Sequence, residues 1–397
     1  MLGELNVDNV FVYMADAVRA DFAPKRVLNK GKSVRTIAAG IHSPTSIASI
    51  VSGTYLPQHG VGGFADTLPV DVPNILHRKE INTGFANTMN NVRFDPGGSA
   101  DIIANTLDVE AEPPELLSEI EPPFLFIERG PGGHAPYVQK HELDTGDNYF
   151  RDRGNTSRSQ YSFEYQQAVA EDADWFLGRL KELAERNLLE NTLVIYASDH
   201  GELLGEQGML AHSPPIHPRH VYVPTVLIHP RIDVGHAEGG VLRHVDLVPT
   251  IASLLDVEFD TRISPVGVDL TDSTLPEQGP TFYAISKSTP IGEINVAFDS
   301  AWDATGGYVF PKTGRFSRLL MGGYHMTQSS WSDYTRARPL LHMWFQLRGD
   351  RCHWAPRMTI EEAKTVISDI RNKETSQVEQ KQQEVPKERL RELGYME

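Results

Sequence analysis

The stretch Thr192-Leu-Val-Ile-Tyr-Ala-Ser-Asp-His-Gly201 decides the fold class, because an apolar run stops abruptly at polar residues and a glycine. A run of about four to eight apolar residues bounded by such a turn signal is typical of a buried strand. Similar runs at 9–14, 81–89, 123–128 and 223–229 are predicted to be buried parallel strands. Residues 165–184 keep apolar side chains three or four positions apart, which predicts a long amphipathic helix. Strands that alternate with helices indicate an α/β protein with a doubly wound, mostly parallel sheet and helices on both faces.

The chain of 397 residues is long enough for one large domain with a smaller lobe. We expect the major α/β domain to occupy residues 1–270. Residues 271–397 should form the smaller C-terminal lobe, because the sequence from 283 to 354 is rich in Gly, aromatic residues and Arg without clean alternation. Thr359 is predicted to start a capped helix over 361–371, and the polar stretch 372–384 is predicted to be mobile.

Composition excludes several classes of partner. The net charge of −16 argues against binding to nucleic acid or to anionic membrane surfaces. No stretch approaches the ~20 apolar residues of a membrane span. Cys352 is the single cysteine, so no internal disulfide can form, and we expect a cytoplasmic protein. The oligomeric state stays open.

Acidic residues follow two of the predicted strands. Asp16 comes after the run at 9–14, and Asp199 with His200 follows the run at 192–198. Active groups of doubly wound sheets collect beyond the carboxyl ends of strands. Carboxylates beside an imidazole suit Mn, Zn or Mg. An isolated Asp16 would be read as a helix N-cap and an isolated Asp-His-Gly as a turn, but the shared strand-end position favours a metal site.

The segment 42–53 has the local signals of a short helix. Ser43 is predicted at the N-cap, Pro44 follows at the first helical position, and Gly53 lies just past the end. Ser43 could simply cap the helix. Its hydroxyl would also lie where exposed amides and the positive end of the helix dipole stabilise an anion, and a neighbouring metal would make it a nucleophile.

An ordered series of motifs resembles the signatures of the sulfatase family, of the alkaline-phosphatase superfamily. The matching segments are Asp16-x-x-Arg19, the Ser43 helix ending in Gly53-Thr-Tyr-Leu-Pro57-Gln-His59-Gly60, His134-Ala-Pro136, Ser198-Asp199-His200-Gly201-Glu202, His244-Val-Asp246-Leu-Val-Pro249-Thr250 and Leu390-Arg-Glu-Leu-Gly394-Tyr395. They span nearly the whole chain in the family order. The resemblance implies an alkaline-phosphatase-like fold, a bound divalent cation (Mn, Zn, Mg or Ca), and in-line attack on the sulfur or phosphorus of a small-molecule or glycan ester.

The resemblance also implies roles for individual residues. Asp16, Asp199 and His200 match the family's metal ligands, and Ser43 matches the nucleophile, which also touches the metal. His134 matches the histidine of the His-x-Pro motif, a substrate contact or leaving-group acid. His212 lies thirteen residues after Asp199, where relatives often place a lysine that faces the anionic oxygens of the substrate.

Three positions depart from the family pattern. Ala17 stands where the family usually has a second acid, so one ligand is missing or supplied elsewhere. Thr45 and Ile47 stand where the signal for converting the nucleophile to formylglycine needs Pro and Arg. We therefore predict an unmodified Ser43 and favour phosphate mono- or diester chemistry; Thr45 is the fallback nucleophile if the register differs by two.

Alternatives to this interpretation remain. The chain could be a true sulfuric ester hydrolase, a phosphoryl transferase or mutase, or a binding module that has lost activity. His244 could hold a second metal, although a structural role is favoured. Arg19, Asn90 and Arg129 either line the pocket or stabilise loops. His217 and His220 are expected to be loop residues.

Overall fold

The computed structural model describes residues 2–3, 5–88, 101–112, 116–138, 149–289 and 292–378. Its strands in chain order are β1 (Asn9–Ala15), β2 (Lys32–Ile37), β3 (Asn82–Asn87), β4 (Phe124–Gly130), β5 (Thr192–Ser198), β6 (Leu203–Leu204), β7 (Leu210–Ala211), β8 (Tyr222–Ile228), β9 (Gly235–His236), β10 (Leu242–Arg243), β11 (Gln278–Thr289), β12 (Gly292–Asp303), β13 (Gly306–Pro311) and β14 (Arg351–Trp354). Its longer helices are α1 (Ser43–Ser52), α2 (Arg158–Glu185), α3 (Leu247–Leu254), α4 (Arg315–Thr327), α5 (Pro339–Leu347) and α6 (Ile360–Arg371). Shorter α-helical turns lie at Lys25–Leu28, Leu56–His59, Ile102–Thr106, Leu116–Glu119, Pro218–Val221 and Ser332–Arg336.

The large sheet has the strand order β10-β2-β8-β5-β1-β4-β3, with β9 paired to β2. Strand β1 lies in the interior of the sheet, parallel to β4 on one side and to β5 on the other. Strand β3 continues the parallel arrangement beyond β4. The predicted mostly parallel α/β sheet is therefore confirmed.

Strand β8 corrects one part of that prediction. It runs antiparallel to both of its neighbours, β5 and β2, whereas the run at 223–229 was expected to be parallel. A parallel connection needs a crossover that carries the chain back to the other edge of the sheet, usually a helix. Residues 199–221 contain only two-residue strands and short helical turns, so the chain re-enters the sheet from the edge at which β5 ended.

Two apolar layers pack on opposite faces of the large sheet. Val10, Val12 and Met14 of β1 pack in one layer with residues of α1 and α3. Phe11 and Tyr13 point the other way and pack with α2. This alternation follows from the period of two of a strand, and burial of both faces explains why the run looked uniformly apolar.

The segment after residue 270 contains more regular structure than its composition suggested. Strands β11 to β14 form a second, antiparallel four-stranded sheet. The alternation of apolar and polar residues that is typical of a strand is obscured in β12, because this strand buries polar side chains that bind other parts of the protein. Asp299 pairs with Arg371, and Asp303 accepts hydrogen bonds from the amides of Arg357 and Met358.

The capped terminal helix is confirmed. Thr359 is the N-cap of α6, and its hydroxyl accepts a hydrogen bond from the amide of Glu362. Residues 379–384 of the stretch predicted to be mobile lie outside the described residues. The whole Leu390–Tyr395 motif lies outside them as well. No helix in the described part of the chain is long and apolar enough to cross a membrane.

Candidate active site

The register of the central strands brings the two strand-end acids together. Ala15 at the end of β1 pairs with Ser198 at the end of β5. Asp16 and Asp199 are the next residues on each strand, so they emerge side by side at the same edge of the sheet. Two hydrogen bonds from the backbone stabilise this arrangement. The amide of Ala17 donates to Asp199 Oδ1 at 3.0 Å, and the amide of Val18 donates to Ser198 Oγ at 2.8 Å.

Asp16, Asp199 and His200 offer ligand atoms that all lie within 4.8 Å of one another, and all three side chains are buried. Asp16 Oδ1 and Asp199 Oδ2 have no hydrogen-bond partner among the residues that the structure describes. A buried carboxylate oxygen without a partner carries a desolvation penalty that a bound cation would remove. These residues therefore fit a divalent cation, and they are the only such His/Cys/Asp/Glu cluster among the described residues.

The hydroxyl of Ser43 faces this cluster. Its Oγ lies 3.5 Å from Asp16 Oδ2, 3.3 Å from His200 Nε2 and 3.1 Å from Arg129 Nη2. The prediction that Ser43 is the N-cap of α1 is wrong: the cap is His42, and the Ser43 side chain makes no capping bond. Because Ser43 already has helical geometry, its hydroxyl points away from the helix amides and toward the acids. Gly53 ends the helix as predicted, with φ of 67°.

Arg129 contacts both Ser43 and Asp16. It was expected either to line the pocket or to stabilise a loop. It lies near the end of β4 and forms a buried salt bridge with Asp16. Its position follows from the sheet, since Gly130 pairs with Ala15. A guanidinium therefore reaches Ser43 from a neighbouring strand, although Ile47 stands where the family pattern places an arginine. Nothing local in the sequence around Ser43 signals this contact.

The other atypical positions are engaged in structural contacts. Thr45 Oγ1 donates to the carbonyl of Val61 at 2.9 Å, which ties the hydroxyl of the fallback nucleophile to a backbone group. Ala17 has a positive φ of 55° and contributes its amide, rather than a side chain, to Asp199.

His134 and His212 lie side by side, with ring centroids 5.4 Å apart, and the ring of His212 lies 4.5 Å from that of His200. His134 Nδ1 donates to the carbonyl of Ala135 at 2.7 Å. His212 Nδ1 lies 2.9 Å from Glu202 Oε2, and Glu202 Oε1 accepts from the hydroxyl of Tyr137 at 2.8 Å. Burial disfavours the charged form of His212, but the Glu202 carboxylate outweighs it and raises the pKa of the imidazole.

Several other candidates have structural partners instead. His244 Nδ1 accepts from the amide of Ala39, and its Nε2 donates to the carbonyl of Ser198 at 2.9 Å. Burial lowers the pKa of His244 to about 4, so it is a neutral link between backbone segments. Arg19 pairs with Asp21 and with Glu206, and thereby stabilises the loop after Asp199.

Of the remaining candidates, His217 caps the turn Pro218–Val221, and His220 Nε2 lies 3.4 Å from the carbonyl of Ala211. His217 is therefore a loop residue, as expected, whereas the same expectation is wrong for His220, which lies within the helical turn. Asn90 lies outside the described residues.

A pocket opens from these residues toward the second sheet. It encloses about 780 Å³ of empty space, its open mouth included. His134, Glu202 and His212 line it on the side of the large sheet, whereas Tyr283, Lys287 and Trp331 line it from the C-terminal segment. Sequence patterns did not predict that these last three residues line a pocket, because they come together only when the second sheet packs on the first.

Comparison with known proteins identifies relatives of this arrangement. The family model named Sulfatase matches residues 114–257. The low-salt glycan biosynthesis sulfotransferase of Haloferax volcanii is 32% identical over 347 residues, which cover 84% of this chain and 82% of that protein. Phosphonate monoester hydrolase of Agrobacterium radiobacter has a similar fold, with a TM-score of 0.59 at 15% identity, covering 77% of this chain and 87% of that one. A 2-O GAG sulfatase superimposes with a TM-score of 0.57 at 13% identity, covering 96% of this chain and 99% of that one. The chain thus has the alkaline-phosphatase-like fold and belongs to the sulfatase family, a family of ester hydrolases.

Proposed function

We propose that the chain is a metal-dependent hydrolase in which unmodified Ser43 attacks a phosphate or sulfate ester in line. The observation that carries this proposal is the position of Ser43 Oγ, within 3.5 Å of Asp16, His200 and Arg129. A hydroxyl in contact with a carboxylate, an imidazole and a guanidinium is an unusual surrounding for a helix serine and a suitable one for a nucleophile.

Asp16, Asp199 and His200 would hold the divalent cation, with Ser43 as a further ligand. A bound cation supplies positive charge that favours the deprotonated hydroxyl and neutralises the ester oxygens. Two carboxylates and one imidazole suit Mn, Zn, Mg or Ca as this ion. A degenerate binding module would not need to keep this ligand set.

The chain's own residues supply the remaining steps. Ser43 Oγ gives up its proton to solvent and forms the new bond to phosphorus or sulfur while the bond to the ester oxygen breaks. Arg129 donates toward Ser43 Oγ and would stabilise negative charge on the attacking group. His134 or His212 protonates the departing oxygen from Nε2, because Nδ1 of each ring is engaged with Ala135 or Glu202. Water then hydrolyses the ester on Ser43 and releases the anion.

Phosphate esters are the favoured substrates because Ser43 lacks the modification signal at Thr45 and Ile47. Without an aldehyde hydrate, release of sulfate from the enzyme has no intramolecular route, whereas water can attack a phosphoserine. The substrate is a small molecule or a glycan. A cytoplasmic location without nucleic-acid or membrane partners completes the proposal, supported by the single cysteine and the charge of −16.

Transfer of the sulfuryl or phosphoryl group to a second alcohol is the other candidate function. It is favoured by the 32% identity to a protein named as a sulfotransferase. The same attack by Ser43 would serve both reactions, and they differ only in whether water or an alcohol accepts the group.

A substrate panel tests the proposal. Aryl sulfate, phosphate monoester, phosphate diester and phosphonate ester would each be assayed with Mg, Mn, Zn and Ca, with and without a sugar acceptor. We expect metal-dependent release of the alcohol, faster from phosphate esters than from matched sulfate esters. An increase in rate with the acceptor, together with a modified acceptor in the mass spectrum, would favour the transferase. No turnover with any metal would contradict both functions.

A further inference from the structure

A cluster of three arginines lies at the carboxyl end of α5, outside the catalytic pocket. Arg318 belongs to α4, Arg351 begins β14, and Arg348 lies in the loop 348–350 that joins α5 to β14. Arg318 and Arg351 are buried, with exposed fractions of 4% and 2%. None of the three is among the residues that line the pocket described above. The arginine cluster is therefore a feature separate from the catalytic residues.

Backbone carbonyls hold the two buried guanidinium groups close together. Arg318 Nη1 donates to the carbonyl oxygen of Arg348 at 2.6 Å, and Arg351 Nη2 donates to the same oxygen at 3.0 Å. These two nitrogen atoms therefore lie no more than about 5.6 Å apart. Each group also donates to one further carbonyl at the end of α5, Arg318 to Gln346 and Arg351 to Phe345. A single oxyanion spans such a distance, because a charged N···O hydrogen bond is about 2.8 Å long.

Helix capping accounts for only part of this arrangement. Arginines near the last turn of a helix commonly bind its free carbonyl oxygens, and they compensate a dipole charge of about half an electron. Two buried guanidinium groups and the neighbouring Arg348 carry more positive charge than that. None of the three arginines forms a salt bridge with a carboxylate of the described residues. Positive charge is therefore left uncompensated at the end of α5.

Three nitrogen atoms of the cluster also lack acceptors. Nε of Arg318 and both Nε and Nη1 of Arg351 are buried and have no hydrogen-bond partner among the described residues. Burial first, and then the charges of Arg318 and Arg348, lower the pKa of Arg351 to about 9. Burial and the charge of Arg315 lower the pKa of Arg318 as well, and Asp350 opposes this only in part. Buried donors without acceptors and buried cations without counter-charges are both costly, and one bound anion would remove both costs.

The surroundings of the cluster favour a small oxyanion. The rings of Phe298 and Phe345 have their centroids 5.6 and 4.8 Å from the central carbon of the Arg351 guanidinium, so aromatic surface packs on this group and its N–H edge remains for binding. Such an edge matches the oxygens of sulfate and phosphate. Gly349 in the loop 348–350 borders open space, because no heavy atom lies within 4 Å of a Cβ added there. A free ion needs only a small shift of this loop to reach the buried nitrogen atoms, whereas a bulky ester would have to displace it.

We propose that Arg318, Arg348 and Arg351 form a second anion site, which takes free sulfate or phosphate. Arg318 and Arg351 supply the buried N–H groups, and the exposed Arg348 adds a third positive charge. The proposed reaction releases an ion of this kind, although the site itself does not depend on Ser43. Because α4 carries both Arg318 and the pocket residue Met321, a bound ion would stabilise the packing of α5 against the helix that forms the pocket wall.

Calorimetric titration with sodium sulfate and sodium phosphate tests this site, with chloride holding the ionic strength constant. The protein carries Asp199→Ala throughout, because loss of the catalytic cation should remove anion binding at the catalytic site. Arg351→Met and Arg348→Met are each added to this background, the second because it alters an exposed side chain and leaves the buried contacts intact. Arg336→Met, which alters an exposed arginine that pairs with Asp333, is the control. Thermal melts establish that each variant is folded.

We expect one sulfate or phosphate ion to bind per chain in the Asp199→Ala background. Arg351→Met and Arg348→Met should each weaken this binding about tenfold or more, which is the scale of one charged hydrogen bond, and Arg336→Met should leave it unchanged. No binding in that background, or binding that survives in both variants of the cluster, would overturn the site.

Glucose 6-phosphate separates a free ion from the end group of a larger ligand. It should bind about tenfold or more weakly than inorganic phosphate, because its sugar would have to displace the loop 348–350. Equal binding of the ester and of phosphate would overturn the assignment to a free ion. If the arginine variants lose the ion as expected but the wild type cleaves no ester with any metal, the proposed function fails and the anion site stands.

Discussion

At the scale of single residues, two buried carboxylate oxygens characterise the site. Within the described part of the chain, Asp16 Oδ1 and Asp199 Oδ2 have no hydrogen-bond partner, although the other oxygen of each carboxylate is hydrogen-bonded. An acid that needed only a structural role would be satisfied on both sides. The unsatisfied oxygens, together with His200, are the reason to expect a cation.

Replacement of Asp199 or His200 by Ala should remove the bound metal and lower turnover by about 100-fold or more, because each is one of few protein ligands. Elemental analysis of the purified variants and steady-state kinetics would measure both effects. Asp174→Ala, which alters an exposed carboxylate on α2, is the control and should behave as the wild type. Full metal content with full activity in either site variant would refute the site.

Ser43→Ala should abolish most activity while changing the free energy of unfolding by less than about 1 kcal/mol, since this hydroxyl does not cap α1. Ser46→Ala is a matched control on the same helix, because the Ser46 hydroxyl is also buried but has no hydrogen-bond partner among the described residues. That variant should stay active. Peptide mass spectrometry of the wild type should show an unaltered serine at position 43; a formylglycine mass there would return the protein to the aldehyde-dependent sulfatases.

His212→Ala should lower kcat or raise KM without loss of metal, because His212 is held by Glu202 rather than by the acids of the cation cluster. Kinetics and elemental analysis on the same preparation separate the two effects. Loss of metal would make His212 a ligand, and unchanged kinetics would reduce it to a loop residue.

At the scale of elements, the loop after β4 and helix α2 together position the cation cluster. The amide of Gly133 donates to the carbonyl of Asp16 at 2.7 Å. Asp172 of α2 accepts hydrogen bonds from the amide of Gly132 and the hydroxyl of Tyr13. The long helix therefore supports the loop that wraps around Asp16 and leads to the His-x-Pro segment.

Gly132→Ala should disturb this loop. Gly132 has φ of 55°, and a Cβ atom at this position would lie 1.8 Å from the carbonyl oxygen of Asp16. We expect a loss of about 2 kcal/mol or more of stability together with weaker metal binding, because backbone must move next to a ligand. Denaturant unfolding and metal titration would measure these effects. Gly178→Ala, in α2 with nothing within 4 Å of the new methyl group, should instead stabilise the protein by about 0.5–1 kcal/mol; equal effects of the two changes would contradict the argument.

At the scale of the whole molecule, the net charge of −16 acts on the fold as self-repulsion. Raising NaCl from about 0.1 M to about 1 M shortens the Debye length from about 10 Å to about 3 Å and should raise Tm by about 2 °C or more. Calorimetry at constant pH would measure the shift. A fall in Tm would mean that salt weakens surface ion pairs, such as Lys181 with Glu185, more than it relieves the repulsion.

The sequence by itself determined the elements that depend on local order. Apolar runs marked most strands of the large sheet, helical spacing marked the core of α2, and Thr359 marked the start of α6. The strand-end positions of Asp16, Asp199 and His200 were also visible, because a break from apolar to polar residues is a property of a few consecutive positions. Motif order then indicated the family.

Only the tertiary structure decided which strands pair and in which direction. The register of Ala15 with Ser198, the antiparallel course of β8, the contact of Arg129 with Ser43 and the pocket face of β11 all join residues far apart in the chain. Hydrogen bonds between strands are formed by backbone groups that every residue shares, so local sequence carries little information about the partner. Packing of the two sheets selects among the pairings, and it thereby sets which side chains meet at the site.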